Sequence, residues 1–437
     1  MTPRKTGPAR AGLRPLTRAV CAAAALALAL PPAPAAASPS PSPSASPSPS
    51  ASPSAPAALP PITPFLLGAT GDDACVTDSP TTVEEKPWTH VSLGLDTVHR
   101  LTEGAGTTVA VLAGGVAADG PLADAVGGGG SADCRGYGTF LAGVVAARPA
   151  EGSGFVGVAP AARIVGVATG DARSGVATPA DIASSLEEAV GAGADVVLVG
   201  AAAWENSARL DDAVAAAAEA DVLVVAPSSV TPESQPLAAY PAQDPTVLSV
   251  GSYDPEGAPA AASPPAVLEG DETARTDVVA PGTQVLGVGP GGGHFVSGGD
   301  GVAAAFAAGT AALVRSRHPD LSAEQVRERI IASAYGAMPG AGPEVVGRGP
   351  VDPMAALTGS PEDAASAAAP NGGGPFTPDP PSRGTWNVPV TVAVAGGSAL
   401  LIVVCVLGAV VLRRGRARGW RPATGQPAAP APEGRRR

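Results

Sequence analysis

The chain has 437 residues, four cysteines, four histidines, only 3% aromatic residues and a formal charge of −12. Between residues 38 and 412 it holds 14 Lys+Arg against 38 Asp+Glu, a formal −24, which excludes nucleic acid and anionic lipid headgroups as partners of that stretch. The few cysteines and scattered histidines show no ligand spacing, so neither a metal site nor another cofactor is expected.

Residues 1–37 read as an export signal. Arg4, Lys5, Arg10, Arg14 and Arg18 precede the apolar run 19–30, and "APAAAS" offers a small-residue cleavage site near Ala37. Residues 38–61 are a Ser/Pro-rich linker that cannot bury a core and is expected as extended polyproline-type coil. From 62 to 358 the composition is globular, at a length suited to one domain. Five nearly unbroken apolar runs there read as strands: 107–115, 162–168, 195–201, 221–227 and 246–252. Strands without polar alternation are those covered on both faces. Between them "YGTFLAGVVAAR", "PADIASSLEEAVGAG" and "ARLDDAVAAAAEA" carry helical periodicity, and helices over Val302–Arg317 and Ser322–Ala334 close the domain. This alternation predicts a parallel sheet with helices on both faces.

Residues 359–387 form a second linker, rich in Pro, Gly and Ala. The uncharged run 388–412 is long enough to cross a bilayer, with Trp386 and Trp420 as interface anchors. Arg413, Arg414, Arg416, Arg418 and Arg421 follow it, which predicts a cytoplasmic basic tail over 413–437 and a single-pass protein of the plasma membrane with its bulk outside. Cys21 falls in the signal and Cys405 in the span. Cys75 and Cys134 are thereby left in an oxidising compartment, where a disulfide is expected.

Several ordered stretches carry a family resemblance: "PWTHVSLGLDTVHRLTEGAGTTVAVL", "GSGFVGVAPAARIVGV", "DVVAPG" (277–282), "AAGTAALVRSRHPDLSAEQVRERI" (307–330) and "VDPMAAL" (351–357). The domain resembles the subtilisin-like serine proteases, in particular the mycosins, the membrane-anchored subtilases of actinobacterial type VII secretion. The resemblance implies an α/β, three-layer fold with a mostly parallel central sheet, here with one C-terminal transmembrane helix. It also implies a type VII secretion membrane complex, or that complex's exported substrates, as partner.

The family's chemistry is not spelled out in these residues. A serine protease of this kind needs a serine nucleophile, a histidine base and an aspartate that orients the histidine. Where the family pattern places D-T/S-G, the chain reads "VAVLAGGV", with Ala113 at the aspartate position. H-G-T reads "YGT", with Tyr137 at the base position. G-T-S-x-A-x-P reads "GDGVAAA", with Gly301 for the serine and Ala305 for the proline. The oxyanion asparagine of A-A-G-N falls on Ser229 or Val230 of "APSSV". Tyrosine, with a pKa near ~10, is no general base at neutral pH.

No other residue supplies the missing groups. His294, seven positions before Gly301, reads as a structural histidine, and His90, His99 and His318 lie in segments remote from the motif positions. Asp300 reads as an N-cap of the Ala-rich helix, and Ser228 and Ser229 as polar loop residues. The expected function is that of a membrane-anchored pseudoprotease, a scaffold or binding component of type VII secretion. The alternatives are a peptide-binding module using the former substrate cleft, and a serine-type endopeptidase with unrecognised catalytic residues.

Overall fold

The computed structural model describes residues 59–64 and 75–359, apart from 202, 232–235, 261–265, 267, 269–272, 337 and 339–340, together with 404, 407–415 and 417–419. The expected signal, most of the Ser/Pro linker, nearly all of the second linker and most of the expected span lie outside the described residues. Val404 and residues 407–415 are helical, and all of them but the half-buried Gly415 are exposed. Among the described residues no helix is long and apolar enough to cross a membrane.

In chain order the strands are β1 (Thr108–Ala113), β2 (Arg163–Ala168), β3 (Val196–Val199), β4 (Leu223–Pro227), β5 (Ser229–Val230), β6 (Leu237–Ala238), β7 (Leu248–Tyr253), β8 (Val278–Pro281), β9 (Val285–Val288) and β10 (His294–Ser297). The helices are α1 (Trp88–Ser92), α2 (Leu95–Val98), α3 (Tyr137–Ala146), α4 (Pro179–Gly191), α5 (Ala208–Glu219), α6 (Asp300–Arg317), α7 (Ala323–Ser333), α8 (Pro343–Val346) and α9 (Pro353–Thr358). A six-stranded sheet runs β2-β1-β3-β4-β7-β8, with every neighbouring pair parallel. β5–β6 and β9–β10 are antiparallel pairs beside it.

Burial of both faces explains why the middles of β1, β3 and β4 are apolar at successive positions. In β1, Val109, Val111 and Ala113 join the core beneath α3 and α6, whereas Ala110 and Leu112 join the core beneath α4 and α5. A strand with helices on both faces gains from an apolar residue at every position. α6 is buried from Asp300 to Val314, and its Ala and Gly residues let it lie close to the sheet. Local sequence sets the helix starts. Thr178 with Asp181 and Ser322 with Gln325 form reciprocal capping boxes on α4 and α7, each satisfying donors that the first turn leaves unpaired.

The five expected strands are present, each trimmed or shifted by up to a few residues. β8, β9 and β10 were not legible as strands, because each is a run of only four residues stopped at once by a glycine (Gly282, Gly289, Gly298). The Cys75–Cys134 disulfide is formed. It fastens the N-terminal extension to the loop that enters α3, where Val76 N–H also donates to the Cys134 carbonyl at 2.7 Å.

Candidate functional site

In a parallel sheet, sites form beyond the carboxyl ends of the strands, where the strand order reverses. Here the reversal falls between β1 and β3, since β2 lies on the other side of β1. Ala113 is the last residue of β1, Tyr137 the first of α3, and Gly301 sits in the first turn of α6. The fold brings these distant positions together. A Cβ built on Gly301 would fall well inside van der Waals contact of the Tyr137 hydroxyl oxygen, and one built on Gly138 would come within 2.8 Å of the Ala113 Cβ. The phenol therefore fills the space that a side chain at 301 would need. Burial, reinforced by the charge of neighbouring Asp300, pushes the Tyr137 hydroxyl well above the ordinary tyrosine range.

Asp300 departs from the sequence expectation. It is not the cap of α6. Gly299, at φ +102°, occupies that position, and no side chain caps the helix. The Asp300 carboxylate instead accepts four hydrogen bonds from the sheet side. Oδ2 receives Ser228 Oγ (2.9 Å), Ser229 Oγ (2.6 Å) and the Ser229 N–H (3.1 Å), and Oδ1 receives Ser252 Oγ (2.6 Å). Ser228 and Ser229, expected as polar loop residues, together with Ser252 of β7 thus tie a buried carboxyl at the start of α6 to the β4–β5 bend and to β7. Their separations from Asp300, 48 residues for Ser252 and 71 or 72 for the others, gave no sequence signal. Desolvation raises the Asp300 carboxyl above its usual range, opposed by the serine hydrogen bonds.

Of the two candidate oxyanion positions, Ser229 is the one turned to this cluster. Val230 is buried in the core under α4 and α5. Ser229 offers two donors, its N–H and its hydroxyl, and Asp300 takes both. Both Ser229 donors are therefore already taken by a carboxyl of the chain itself.

Two adjoining cavities open on the cluster. One, of about 330 Å³, is lined by Thr63, Pro64, Tyr137, Ser229, Asp300 and Gly301 among others. The other, of about 460 Å³, includes Ile62, Ser252, Gln284, Ser297 and Asp300. The N-terminal extension borders both. Ile62 N–H donates to the Val296 carbonyl (2.8 Å), Ser297 Oγ donates to the Ile62 carbonyl (2.8 Å), and the Arg135 guanidinium grips Thr63 at its carbonyl (2.9 Å) and hydroxyl (2.6 Å). Arg135 and Thr63 carried no mark in the sequence.

Among the described residues no histidine lines either cavity. His294 Nδ1 accepts from Val83 N–H (2.8 Å) and its Nε2 bonds Ser153 Oγ (3.0 Å), so both ring nitrogens are engaged in structure. His90 Nε2 accepts from Val156 N–H, while His99 and His318 bond the Val158 and Leu357 carbonyls. No group of three or more His, Cys, Asp or Glu among the described residues could hold a metal.

A parallel, helix-sandwiched sheet whose β1 end, α3 start and α6 start meet at one point is the frame of a subtilase. Residues 104–370 match the Subtilase family, peptidase S8, and the chain belongs to that family. Within it the chain is similar to the mycosins. Mycosin-1 of Mycobacterium tuberculosis (strain ATCC 25618 / H37Rv) is 32% identical over 375 residues, covering 70% of this chain and 81% of its own length. Mycosin-3 of the same strain is 30% identical over 388 residues, covering 73% and 82%. Among solved structures, the MycP3 protease from the type VII (ESX-3) secretion system superposes with a TM-score of 0.55 at 28% identity, covering 70% of this chain and 98% of that one.

Proposed function

We propose that this mycosin-like subtilase does not hydrolyse peptides and serves as an extracytoplasmic scaffold of a type VII secretion apparatus, held at the plasma membrane by residues 388–412. The observation that carries the proposal is Asp300. Acyl transfer requires donors poised for an oxyanion, a term worth several kcal/mol of barrier lowering. Here both Ser229 donors are already bound to the Asp300 carboxyl and are not free to meet a developing oxyanion. Ala113, Tyr137 and Gly301 offer no acid, base or nucleophile at the three positions where the resemblance places the triad. Support for the pathway comes from the relatives, whose descriptions place MycP3 in the ESX-3 secretion system and MycP1 as an essential component of ESX-1.

A second use of the same cleft is supported by its volume: an extended peptide could be held there without being cut. The extension residues Ile62, Thr63 and Pro64 already line that space, which favours the scaffold. Two measurements test these assignments. The purified full chain should neither cleave casein nor take up a serine-reactive phosphonate; inhibitor-sensitive turnover would overturn the proposal. Affinity capture from solubilised membranes should bring down membrane components of the secretion machinery. Recovery of free peptides alone would mark a peptide trap instead.

A further inference from the structure

A second concave surface lies on the other side of β7. It is a groove of about 670 Å³ lined by Trp88, Tyr253, Tyr335, Pro255, Glu256 and Pro350, with Val91, Ser92 and Met338 completing it. The chain has only four tryptophans and four tyrosines, yet three of those eight residues meet here. Trp88 and Tyr253 pack edge to face with centroids 5.9 Å apart, and the Trp88 Nε1–H donates to the Gln284 carbonyl. The Tyr253 hydroxyl bonds Ser92 Oγ, so the floor is fixed. The rim is open: Val91 is 75% and Tyr335 52% exposed. Apolar side chains gathered at one exposed groove mark a contact surface.

We propose that this groove docks residues 375–383 of the same chain, "PFTPDPPSR", as a polyproline-type strand. The match is one of spacing and charge. Pro375, Pro378 and Pro381 recur every third residue, which places them along one edge of a helix with three residues per turn. Flat aromatic and proline faces are what such an edge packs against. The segment carries Asp379 and Arg383 and is neutral overall, so the charge match is the one pair that Arg383, two residues beyond Pro381, can make with the exposed Glu256 at the groove. Reach is not limiting: 14 residues separate Gly359 from Gly374, enough to span about 45 Å when extended. The start of that tether lies nearby, since α9 packs on α2, which follows α1 and its Trp88 and Val91.

The other proline run fits less well. In "SPSPSPSASPSPS" the prolines mostly alternate, so successive ones fall on different edges of a three-fold helix. No Lys or Arg occurs between residues 38 and 85 to meet Glu256. Docking in cis would hold the folded body close to the segment that precedes the expected span, shortening its effective tether.

The test is limited trypsin digestion of the detergent-solubilised full chain, following cleavage after Arg383 relative to cleavage after Arg418. Tyr335→Ala, Glu256→Arg and the double change Pro378→Ala/Pro381→Ala should each speed cleavage at Arg383 by about fivefold or more, the scale of losing one interface anchor. Tyr335 and Glu256 are exposed, so the melting temperature should stay unchanged and report that the body remains folded. An added peptide of sequence GPFTPDPPSRG should bind the Pro378→Ala/Pro381→Ala chain more tightly than the unaltered chain, whose own segment competes at high effective concentration. Unchanged cleavage ratios would overturn the proposal. Equal peptide binding to both chains, or protection of Arg383 that rises with protein concentration, would assign the groove to a partner or a second copy and overturn docking in cis.

Discussion

Ser252 and Tyr253 are neighbours at the end of β7, and they face two different cavities. On the Ser252 side the cleft is self-satisfied. Small residues line it, a buried carboxylate consumes the available donors, and a phenol fills the space above Gly301. On the Tyr253 side the groove presents open aromatic and aliphatic surface. The fold of a hydrolase normally leaves its catalytic cleft unsatisfied until substrate arrives, because the donors must be free for the transition state. This chain differs: the donors at Asp300 are taken by the chain's own groups although the cavities beside them are open, and the exposed aromatic surface lies elsewhere.

The sharpest way to break the closed side is Asp300→Ala. It removes the acceptor of four hydrogen bonds and strands the Ser228, Ser229 and Ser252 hydroxyls in the interior. A loss of about 2–4 kcal/mol in urea unfolding is expected, more than a surface helix cap would give. Asp300→Asn, which keeps an acceptor, should lose clearly less. Equal losses for the two variants would show that the hydrogen bonds are not what holds β4, β7 and α6 together here.

Acid should act on the two sides with opposite sign. His90, on α1 beside the groove residue Val91 but turned inward onto Phe155, is held neutral by burial, its pKa lowered to about 4 despite the Val156 N–H bond. The unfolded chain takes up this proton near pH 6.5, so His90's contribution is lost as pH falls from there toward 4, by at most about 3 kcal/mol. Asp300 has its carboxyl raised by burial, so the folded state binds that proton more readily than the unfolded one. Its contribution favours folding at low pH and fades as pH rises through the folded value. Hydrogen exchange at pH 4.5 against pH 6.5 should show α1 opening more readily while the start of α6 does not. Equal changes in both segments would erase the distinction.

A smaller effect is expected from Gly301→Ser. The added side chain meets the Tyr137 hydroxyl, and overpacking of this kind costs about 1–3 kcal/mol. In a Tyr137→Ala background the same change should be nearly free, so a double-mutant cycle should return a coupling of about the same size. Additive losses would mean that Tyr137 and Gly301 have not adapted to one another.

Much of this was legible in the sequence, for reasons that can be named. Long apolar runs such as 107–115 and the capped helices α4 and α7 announce themselves locally, and the order of motifs led to Ala113, Tyr137, Gly301 and either Ser229 or Val230. What escaped notice depends on contacts between distant segments. Asp300 lay next to a glycine at a helix start, where aspartate is a preferred cap. Nothing local said that Gly299 would take the cap and that Ser228 in the β4–β5 bend, Ser229 of β5 and Ser252 of β7 would meet the carboxyl. The aromatic groove was equally silent, because Trp88, Tyr253 and Tyr335 are scattered singly along the chain and only the fold assembles them.

The smallest effect expected is none at all, and it bears most directly on why the cleft is closed. Ala113→Asp, Tyr137→His and Gly301→Ser together would restore the side chains that the family pattern calls for. The histidine would also vacate the space Tyr137 now fills, so the serine could be accommodated. Yet the tetrahedral intermediate would still place negative charge near Ser229, where the Asp300 carboxylate holds the amide and hydroxyl donors. Removing one oxyanion donor costs a hydrolase about 10²–10³ in rate, and here both Ser229 donors are taken by Asp300. The triple variant should therefore show no turnover above background. Adding Asp300→Thr, the residue of the G-T-S pattern, frees the Ser229 donors and should be the first change to yield measurable phosphonate labelling. Robust hydrolysis by the triple variant with Asp300 intact would show that the buried carboxylate does not block the oxyanion position.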